Sequence, residues 1–504
     1  MKTTKLFFMA ALALMTAACS NDDNDLTQQP AKAEGIPFTA TISLDQSATT
    51  RALTENGTTI EATWATGEKV ALIYTVSATT YVKEAEVTPQ GDGTATISTT
   101  LEGSPADDTD VTIVYPASAV DGTTKDVKTN LLASQNGLLT GTGSIAEKYE
   151  LRKTTTPAKL KIDGTTASLK GTVSLTNQFA IWKLTLDKTA KDLYITANGE
   201  LIAGATLASP GTEFYVAVPA VDSKTVAVVA TDGSSNCWSY SKASVSLAAG
   251  KYYQSSPTMT ALDGDNTKDA YKMTGAGTIP AGRTVVLSGV TISGGQIACS
   301  GNVTMILMGT NKVTANAGKA AIKIGGSSTT LTITGSGSLT ATGGAFCAGI
   351  GTDQASSGTL SGGNIVINGG TVTATGGMAG AGIGTGRAQN ATNTCGNITI
   401  NGGTVTATGG NNGGAGIGTG LSAQMSSVTA NRCGAITIGT GVTRVTANKG
   451  SSNPGPNSIG IGSSTNGTQA CGTITIGGTI YWNGTDYVGT GSTYLTQNSI
   501  TYTP

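Results

Sequence analysis

The sequence contains no histidine and few charged residues. Charged side chains make up 12% of its 504 residues, and the formal net charge is −1. Without histidine the chain cannot form a Ser-His-Asp or Cys-His catalytic site, or most protein zinc sites. A net charge near zero provides no basic field that would hold nucleic acid. The composition therefore predicts no metal, no cofactor, no nucleic-acid partner and no enzymatic activity.

Carboxylates are also scarce in the second half of the chain. Glu213 is the last glutamate, and beyond residue 262 only five aspartates remain. Polysaccharide lyases and glycosidases built on parallel β-helices need clustered carboxylates, or a cationic base with an acid beside it. Asp353 and Asp486 are isolated from each other in the sequence. A polysaccharide-degrading β-helix enzyme is therefore the least favoured function.

What the chain has instead is glycine and β-forming residues. Glycine accounts for 70 of the 504 residues, about twice its usual share. Threonine, valine and isoleucine are abundant and alternate with a period of two, and no helical period is found. The chain is also too long for one ordinary domain. These features predict an all-β protein of several domains.

The N-terminus has the pattern of an export signal. Lys2 and Lys5 precede an apolar stretch, Leu6–Met15, that is too short to span a bilayer permanently. Small residues then lead into Cys19, and this order resembles the lipobox of bacterial lipoproteins, whose cysteine is acylated, typically with palmitate. The alternative is an ordinary secretory signal that contains a cysteine. An acidic run at 20–25 resembles a surface-export signal and favours an outer-membrane lipoprotein precursor.

A repeat dominates the chain beyond residue 262. Residues 364–377 and 397–410 differ at one position and begin 33 residues apart, and a looser copy occupies 331–344. Each copy contains short strand-like pieces separated by glycine turns. One copy cannot bury its apolar face, but stacked copies place isoleucine over isoleucine and valine over valine. The repeat therefore predicts a parallel β-helix, or solenoid.

Alternation within the repeat assigns its buried and exposed faces. Val405 and Ala407 lie on one face of their strand, and the intervening threonines lie on the other. Stacked threonines form a flat hydroxyl array, which suits a glycan or ice, although threonine is also simply a favoured exposed β-residue. Aromatic residues near the C-terminus either contact a ligand or cap the solenoid. The candidate ligand residues are Thr371, Thr373, Thr404, Thr406, Tyr481 and Trp482.

Three cysteines support the same register. Cys395, Cys433 and Cys471 each begin a Cys-Gly-Xaa-Ile-Thr-Ile segment, and they are spaced 38 residues apart. They are expected to stack on successive coils. Soft-metal binding and disulfides are the alternatives to buried small side chains. In-register parallel neighbours suit disulfide geometry poorly, so buried side chains are favoured.

The N-terminal half, residues 36–261, carries a series of landmarks in a fixed order. They are Arg51-Ala52, Ala62–Tyr74, Val111–Pro116, Phe179–Leu184, Tyr215–Pro219 and Ala249–Tyr253. In this order, behind a lipobox and an acidic run, they resemble the fimbrillin family, the pilus subunits of anaerobic Gram-negative bacteria. The resemblance does not extend to the solenoid.

The resemblance implies a fold and an assembly mechanism. Fimbrillins consist of two tandem transthyretin-like β-sandwich domains, and a trypsin-like protease cuts the lipoprotein precursor after a basic residue. The cut removes the first strand, and a strand from the next subunit fills the groove by β-strand addition. Here the cut would follow Arg51, the mature chain would begin at Ala52, and the removed strand would lie within Phe38–Leu44. The alternative is that Arg51 is an ordinary exposed turn residue.

Together these observations predict two transthyretin-like β-sandwiches followed by a parallel β-helix. The predicted segments are a signal peptide (1–18), the lipidated Cys19 with a tether (19–35), a first sandwich (36–147), a second sandwich (148–261) and the solenoid (262–504).

The expected function is cell adhesion by a fimbrial subunit, at the tip because a tip subunit need not donate a strand. The alternating tail Tyr494–Tyr502 leaves a stalk role open. A surface lipoprotein adhesin or glycan-binding protein outside a pilus is the alternative. Expected partners are other fimbrial subunits, host or bacterial surface glycans or proteins, and the outer membrane through the lipid.

Overall fold

A computed structural model describes most of the chain. The described residues are 35–44, 54–56, 59–61, 63–90, 93–122, 124–127, 132–423, 430–451, 456–464 and 468–504. Cys19, Arg51 and Ala52 lie outside them, so lipidation and cleavage stay predictions. The described helical segments are α1 (Gly491–Leu495), two 3₁₀ turns (Ala117–Ala119 and Leu132–Ser134) and a π-turn (Ile145–Tyr149). No helix in these ranges is long and apolar enough to cross a membrane.

The first β-sheet is built from strands in which apolar side chains alternate with polar ones. The strands of this region are β1 (Ile36–Leu44), β2 (Thr54–Asn56), β3 (Thr59–Glu61), β4 (Lys69–Val76), β5 (Thr79–Pro89), β6 (Thr94–Leu101), β7 (Asp110–Tyr115), β8 (Arg152–Thr154), β9 (Ala158–Asp163), β10 (Thr166–Leu169) and β11 (Val173–Asn177). The sheet order is β10-β9-β7-β4-β5-β6-β1-β11-β8, while β2 and β3 form a separate hairpin. Since β10 also pairs with β1 and β8 with β7, the sheet folds back on itself around one core.

The first sheet ends later in the chain than the predicted domain boundary between residues 147 and 148. Strands β8 to β11 follow residue 148 but pair within the first sheet, which therefore extends to Asn177. β11 and β10 lie beside β1, and β8 and β9 lie beside β7. These pairings join residues far apart in the chain, which is why local sequence pattern did not reveal them.

The second β-sheet follows directly. Its strands are β12 (Ala180–Ala197), β13 (Glu200–Val218), β14 (Val221–Thr231), β15 (Cys237–Leu247), β16 (Tyr252–Ser255) and β17 (Thr260–Ala261). The order is β13-β12-β14-β15-β17, and β16 pairs with β12. The register of β12 against β13 shifts between Thr185 and Ala190, an irregularity that bends long strands. The two halves of these strands thereby enclose one apolar core.

Beyond residue 262 the chain winds into a parallel β-solenoid. The first strands are β18 (Ala270–Met273), β19 (Gly277–Ile279), β20 (Arg283–Ser288), β21 (Thr291–Ser293), β22 (Ile297–Cys299), β23 (Val303–Met308), β24 (Thr310–Thr314), β25 (Ile322–Ile324), β26 (Thr330–Gly335), β27 (Ser338–Thr342), β28 (Ile350–Gly351), β29 (Gly358–Ser361), β30 (Asn364–Ile367) and β31 (Thr371–Thr375). The remaining strands are β32 (Ile383–Gly384), β33 (Ala388–Gln389), β34 (Ala391–Thr394), β35 (Ile398–Ile400), β36 (Gly403–Thr408), β37 (Ile417–Gly418), β38 (Ser422–Ala423), β39 (Ala430–Cys433), β40 (Ile436–Ile438), β41 (Val442–Asn448), β42 (Ile459–Gly460), β43 (Thr468–Cys471), β44 (Ile474–Ile476), β45 (Thr479–Trp482) and β46 (Ser499–Tyr502).

The solenoid has three long faces. The first face contains β18-β20-β23-β26-β30-β35-β40-β44-β45, the second β19-β22-β25-β28-β32-β37-β42, and the third β21-β24-β27-β31-β36-β41-β46. A shorter side sheet contains β29-β34-β39-β43, and β33 pairs with β38. Apart from the strands β45 and β46, these pairings are parallel. The all-β fold with a C-terminal β-helix is therefore confirmed.

The repeats stack in the register that their sequence predicts. Ile365 lies opposite Ile398, and Val372 lies opposite Val405. These side chains, with their counterparts on other coils, are fully or almost fully buried in one continuous apolar core. Parallel strands lie about 4.8 Å apart, so identical side chains pack directly over one another.

A glycine column explains part of the glycine content. Gly351, Gly384, Gly418 and Gly460 occupy one position on successive coils of the second face, each with φ between +121° and +142°. A Cβ atom on Gly384 would overlap the carbonyl oxygen of Gly418. Only glycine therefore allows the coils to approach this closely.

The first coils of the solenoid pack against the second sheet. The buried residues of this contact are Tyr194, Val229 and Cys237 on the sheet side and Ala270, Val286, Ile306 and Met308 on the solenoid side. The hydroxyls of Thr196 and Thr284 lie 2.8 Å apart, and the Thr304 hydroxyl donates to the Gly199 carbonyl at 2.8 Å. One end of the solenoid is thus anchored, and its last coil lies at the opposite end.

The C-terminal segment closes that last coil. β45 pairs antiparallel with β44, and β46 pairs antiparallel with β41. Leu495 in α1 and Ile500 in β46 are buried in the solenoid core. The cap covers strand edges that would otherwise be free to pair with other chains. The tail Tyr494–Tyr502 is therefore packed and paired within its own molecule.

Candidate functional site

Strand β1 is one of three regions with a candidate role. It lies between β6 on one side and β10 and β11 on the other. Phe38, Ile42 and Leu44 are buried in the first core, while alternate residues face outward. The predicted removable segment, Phe38–Leu44, thus lies inside the described strand Ile36–Leu44.

The threonine array lies on the outer side of the third face. Thr371 is opposite Thr404, and Thr373 is opposite Thr406. Thr371 is exposed, and the other three are half-buried. Val405 and Ala407, which alternate with these threonines, are fully buried, so the predicted face assignment is confirmed. The role of the threonines as a ligand surface stays a prediction.

Aromatic residues gather in the cap of the last coil. Tyr481 stacks on Tyr494 with ring centroids 4.5 Å apart, and Trp482 meets Tyr487 edge to face at 4.8 Å. The indole N–H of Trp482 donates to the Cys471 carbonyl at 2.9 Å. Tyr481 and Trp482 therefore take part in the cap, and they are half-buried rather than covered.

Beside this cluster lies a cavity of about 180 Å³. Its lining residues are Asn457, Ile461, Gly462, Ser463, Ser464, Gln469, Ala470, Cys471, Ile474, Trp482, Tyr487 and Leu495. None of them is charged. Of the predicted ligand residues, Trp482 belongs to this lining and Tyr481 lies outside it, and Cys471 of the cysteine series also lines the cavity.

A column of amide side chains runs along the side sheet to this cavity. Asn393 is paired in register with Asn431, and Asn431 with Gln469. Asn393 and Asn431 are buried, whereas Gln469 is exposed. Sequence reasoning missed this column, although a signal exists. In the Cys395, Cys433 and Cys471 segments alike, the residue two positions before the cysteine is an amide.

The cysteines behave as buried small side chains. Cys433 lies opposite Cys471 in register, and the described cysteines, which exclude Cys19, are free and buried. Hydrogen bonding with the thiols of Cys395 and Cys471, together with burial, raises the pKa of Cys433. A neutral buried thiol is a poor nucleophile and a poor metal ligand. The arrangement favours packing over chemistry.

Asp353, one of the two isolated aspartates named from the sequence, is held by groups of neighbouring coils. Asp353 accepts hydrogen bonds from Gln296 Nε2 and the Ala320 amide, both at 2.7 Å, and forms an ion pair with Lys323 at 2.8 Å. It therefore links neighbouring coils. Within the described ranges, no group of three or more histidine, cysteine or acidic residues is placed to hold a metal ion.

Comparison with known families identifies the repeat. A family model described as a β-helix repeat matches residues 331–353, 365–387 and 398–421. These segments span three successive coils of the solenoid. No curated protein matches the sequence.

Solved structures with some likeness to this chain include proteins of bacterial surfaces. One is a fimbrial protein from Bacteroides ovatus, with 12% identity and a TM-score of 0.25, covering 44% of this chain and 48% of that protein. A second is a putative cell adhesion protein from Bacteroides fragilis, with 13% identity and a TM-score of 0.28, covering 45% and 97%. A third is the tip fimbrial protein Mfa3 from Porphyromonas gingivalis, with 11% identity and a TM-score of 0.23, covering 41% and 81%.

The chain thus spans about half the length of the Bacteroides ovatus protein. Solved fimbrial proteins are among the structures that this chain resembles, and its C-terminal part carries a β-helix repeat.

Proposed function

We propose that this chain is a non-enzymatic subunit of a bacterial surface fimbrium, located at the tip, with the solenoid as its adhesive part. The observation that carries the proposal is the position of β1. This strand lies inside the first core, and Arg51 follows it in the chain. A cut after Arg51 would leave β1 attached by non-covalent contacts alone.

The contacts of β1 indicate what its loss would do. β1 pairs with β6 from Ile36 opposite Leu101 to Ser43 opposite Thr94. The large apolar side chains of β1 that are buried in the core are Phe38, Ile42 and Leu44. Burial of one such side chain contributes roughly 1.5–3 kcal/mol to stability, so the three together contribute about 5–9 kcal/mol. A groove emptied of β1 would strongly favour a replacement strand with the same alternation. This is the energetic basis for assembly by β-strand addition.

The C-terminal cap supports a tip position over a stalk position. A stalk subunit must donate a strand to its neighbour. Here β46 is paired with β41, and Ile500 is buried beneath it. Donating this strand would uncover the last coil of the solenoid, so the chain is better suited to receive a strand than to give one.

The route to the surface is proposed from the N-terminal sequence. Cys19, within its small-residue context, is the proposed lipidation site of the precursor, and the acidic run behind it is the proposed signal for surface display. Cleavage after Arg51 would release the subunit from the lipid. A Cys19→Ala variant should lose the lipid and should be absent from the cell surface, as measured by protease treatment of whole cells.

The test of the fimbrial role is the N-terminus of the protein within isolated fimbriae. Mass spectrometry should find a chain that begins at Ala52 and carries no lipid. An Arg51→Ala variant should keep its lipid and drop out of the fimbriae. Lys32→Ala is the matched control, because Lys32 precedes β1 and a cut there would leave the strand in place.

Two results would contradict the proposal. If Arg51→Ala is incorporated as well as the unaltered protein, cleavage at this site is not the assembly step. If the full-length lipidated form is found within fimbriae, the chain is an anchor subunit rather than a tip subunit.

A further inference from the structure

The cavity beside the aromatic cap lies where an adhesive subunit would meet its target. Its lining comes from the last coils and the cap, including Gln469, Trp482 and Tyr487. The coils that pack on the second sheet are the first ones, around Val286 and Ile306. The cavity is therefore at the free end of the solenoid.

The lining combines two kinds of surface. Trp482 and Tyr487 provide aromatic area, and the buried Leu495 lies behind the apolar part of the wall. Gln469 and Asn457 provide amides, and serine hydroxyls adjoin them. Amides donate and accept hydrogen bonds, whereas aromatic rings pack against apolar C–H groups. A ligand with hydroxyls around its edge and C–H groups on its face satisfies both.

The absence of charge in the lining narrows the ligand class. A charged ligand would lose its hydration on entry and would meet no counter-charge among the lining residues. Pockets for drug-sized ligands measure roughly 300–1,000 Å³. A cavity of about 180 Å³ is smaller and suits a single ring.

The amide column adds an independent observation. Neither side-chain amide atom of Asn393 has a hydrogen-bond partner among the described residues, and Asn431 Oδ1 also has none there. Buried polar atoms without partners are rare in folded proteins. Asn431 Nδ2 donates at 3.5 Å to the carbonyl of Gly462, which lines the cavity. The amide column therefore reaches the cavity through Gln469, which lines it, and through Asn431, which contacts the wall residue Gly462.

We propose that this cavity binds one uncharged sugar residue, at the end of a glycan. The sugar packs its C–H face on Trp482 and Tyr487 and hydrogen bonds to Gln469 through its hydroxyls. This inference rests on the proposed adhesive role of the solenoid and specifies the chemistry of its target as a neutral saccharide.

The test is calorimetric titration of the purified full chain with methyl glycosides of galactose, mannose, fucose and N-acetylglucosamine, and with the acidic sugar sialic acid. At least one neutral glycoside should bind with a stoichiometry of one. Gln469→Ala and Tyr487→Ala should each weaken that binding about tenfold, as expected for the loss of a hydrogen bond or a ring contact. Both residues are exposed, so the variants should remain folded.

Ile480→Ala is the matched control. Ile480 is 45% exposed on the same cap but does not line the cavity, so its replacement should leave binding unchanged. Binding of sialic acid alone, absence of binding by every neutral glycoside, or equal binding by the cavity variants would overturn the inference. Incorporation into fimbriae is measured separately. Normal incorporation without sugar binding would refute the cavity assignment alone, and sugar binding without incorporation would refute the fimbrial role alone.

Discussion

Placing a carboxylate on either side of one solenoid strand tests the assignment of its faces. Val405 is fully buried between Val372 and Val445 on neighbouring coils. Thr406, the next residue, lies on the outer side and is half-buried. Val405→Asp and Thr406→Asp therefore introduce the same group at adjacent positions of β36, one inside the core and one outside.

The expected magnitudes follow from burial. Val405→Ala removes two methyl groups at about 0.8 kcal/mol each, and the remaining cavity brings the cost to about 2–3 kcal/mol. Val405→Asp adds a carboxylate to a core whose buried members are apolar or cysteine side chains. An unpaired buried charge costs several kcal/mol more. Thr406→Asp loses β-propensity and stays within about 1 kcal/mol.

Hydrogen exchange measured by mass spectrometry is the suitable assay. A chain with several cooperative units has no single unfolding free energy, so local protection is more informative than one melting temperature. Val405→Asp should reduce protection in peptides covering 365–375 and 436–447, the coils on either side. Peptides covering 180–197 in the second sheet should be unaffected. Equal loss of protection in Val405→Asp and Thr406→Asp would refute the face assignment.

Three further predictions follow from packing and burial. Gly384→Ala should disrupt the coils and raise susceptibility to limited proteolysis, whereas Gly325→Ala, where a Cβ meets open space and the backbone φ lies outside the left-handed region, should be much milder; similar digestion of both would contradict the glycine-column argument. Deletion of 494–504 should expose strand edges and produce self-association in light scattering, and a monomeric product would count against the capping role. Burial raises the pKa of Cys299 to about 12 and that of Cys347 to about 11. The folded state therefore favours the neutral thiols, so their contribution to stability is complete below pH 9 and should fall as the pH rises through 11–12. Denaturant titration should show that alkaline pH lowers the stability of Cys299→Ala less than that of the unaltered protein. An equal loss of stability in both would contradict a contribution from the neutral Cys299 thiol.

The solenoid was the part most open to prediction from sequence. The copies at 364–377 and 397–410 are nearly identical, so each needs the same surroundings to bury the same side chains. Stacking the copies on one another gives every copy those surroundings. Period-two alternation then decides which side chains are buried, as at Val405 and Thr406. Both inferences use residues close together in the chain, which is why they could be made without coordinates.

The candidate binding cavity was much harder to anticipate. Trp482 was named from its aromatic character, but Asn457 carries no distinctive local pattern. The amide column was visible in principle, because Asn393 and Asn431 precede equivalent cysteines by two positions. Its importance depends on burial and on partnerless amide atoms, which a linear pattern does not reveal.

The sequence by itself determined the all-β character, the repeat register and the orientation of side chains on each strand, because these depend on local periodicity. The tertiary structure alone decided how distant segments meet. Strands up to Asn177 complete the first sheet, the first coils anchor on the second sheet, and β46 returns to cover β41. Such pairings join segments whose local propensities suit several partners equally well. Their choice is set by which arrangement buries the most apolar surface and leaves the fewest strand edges unpaired.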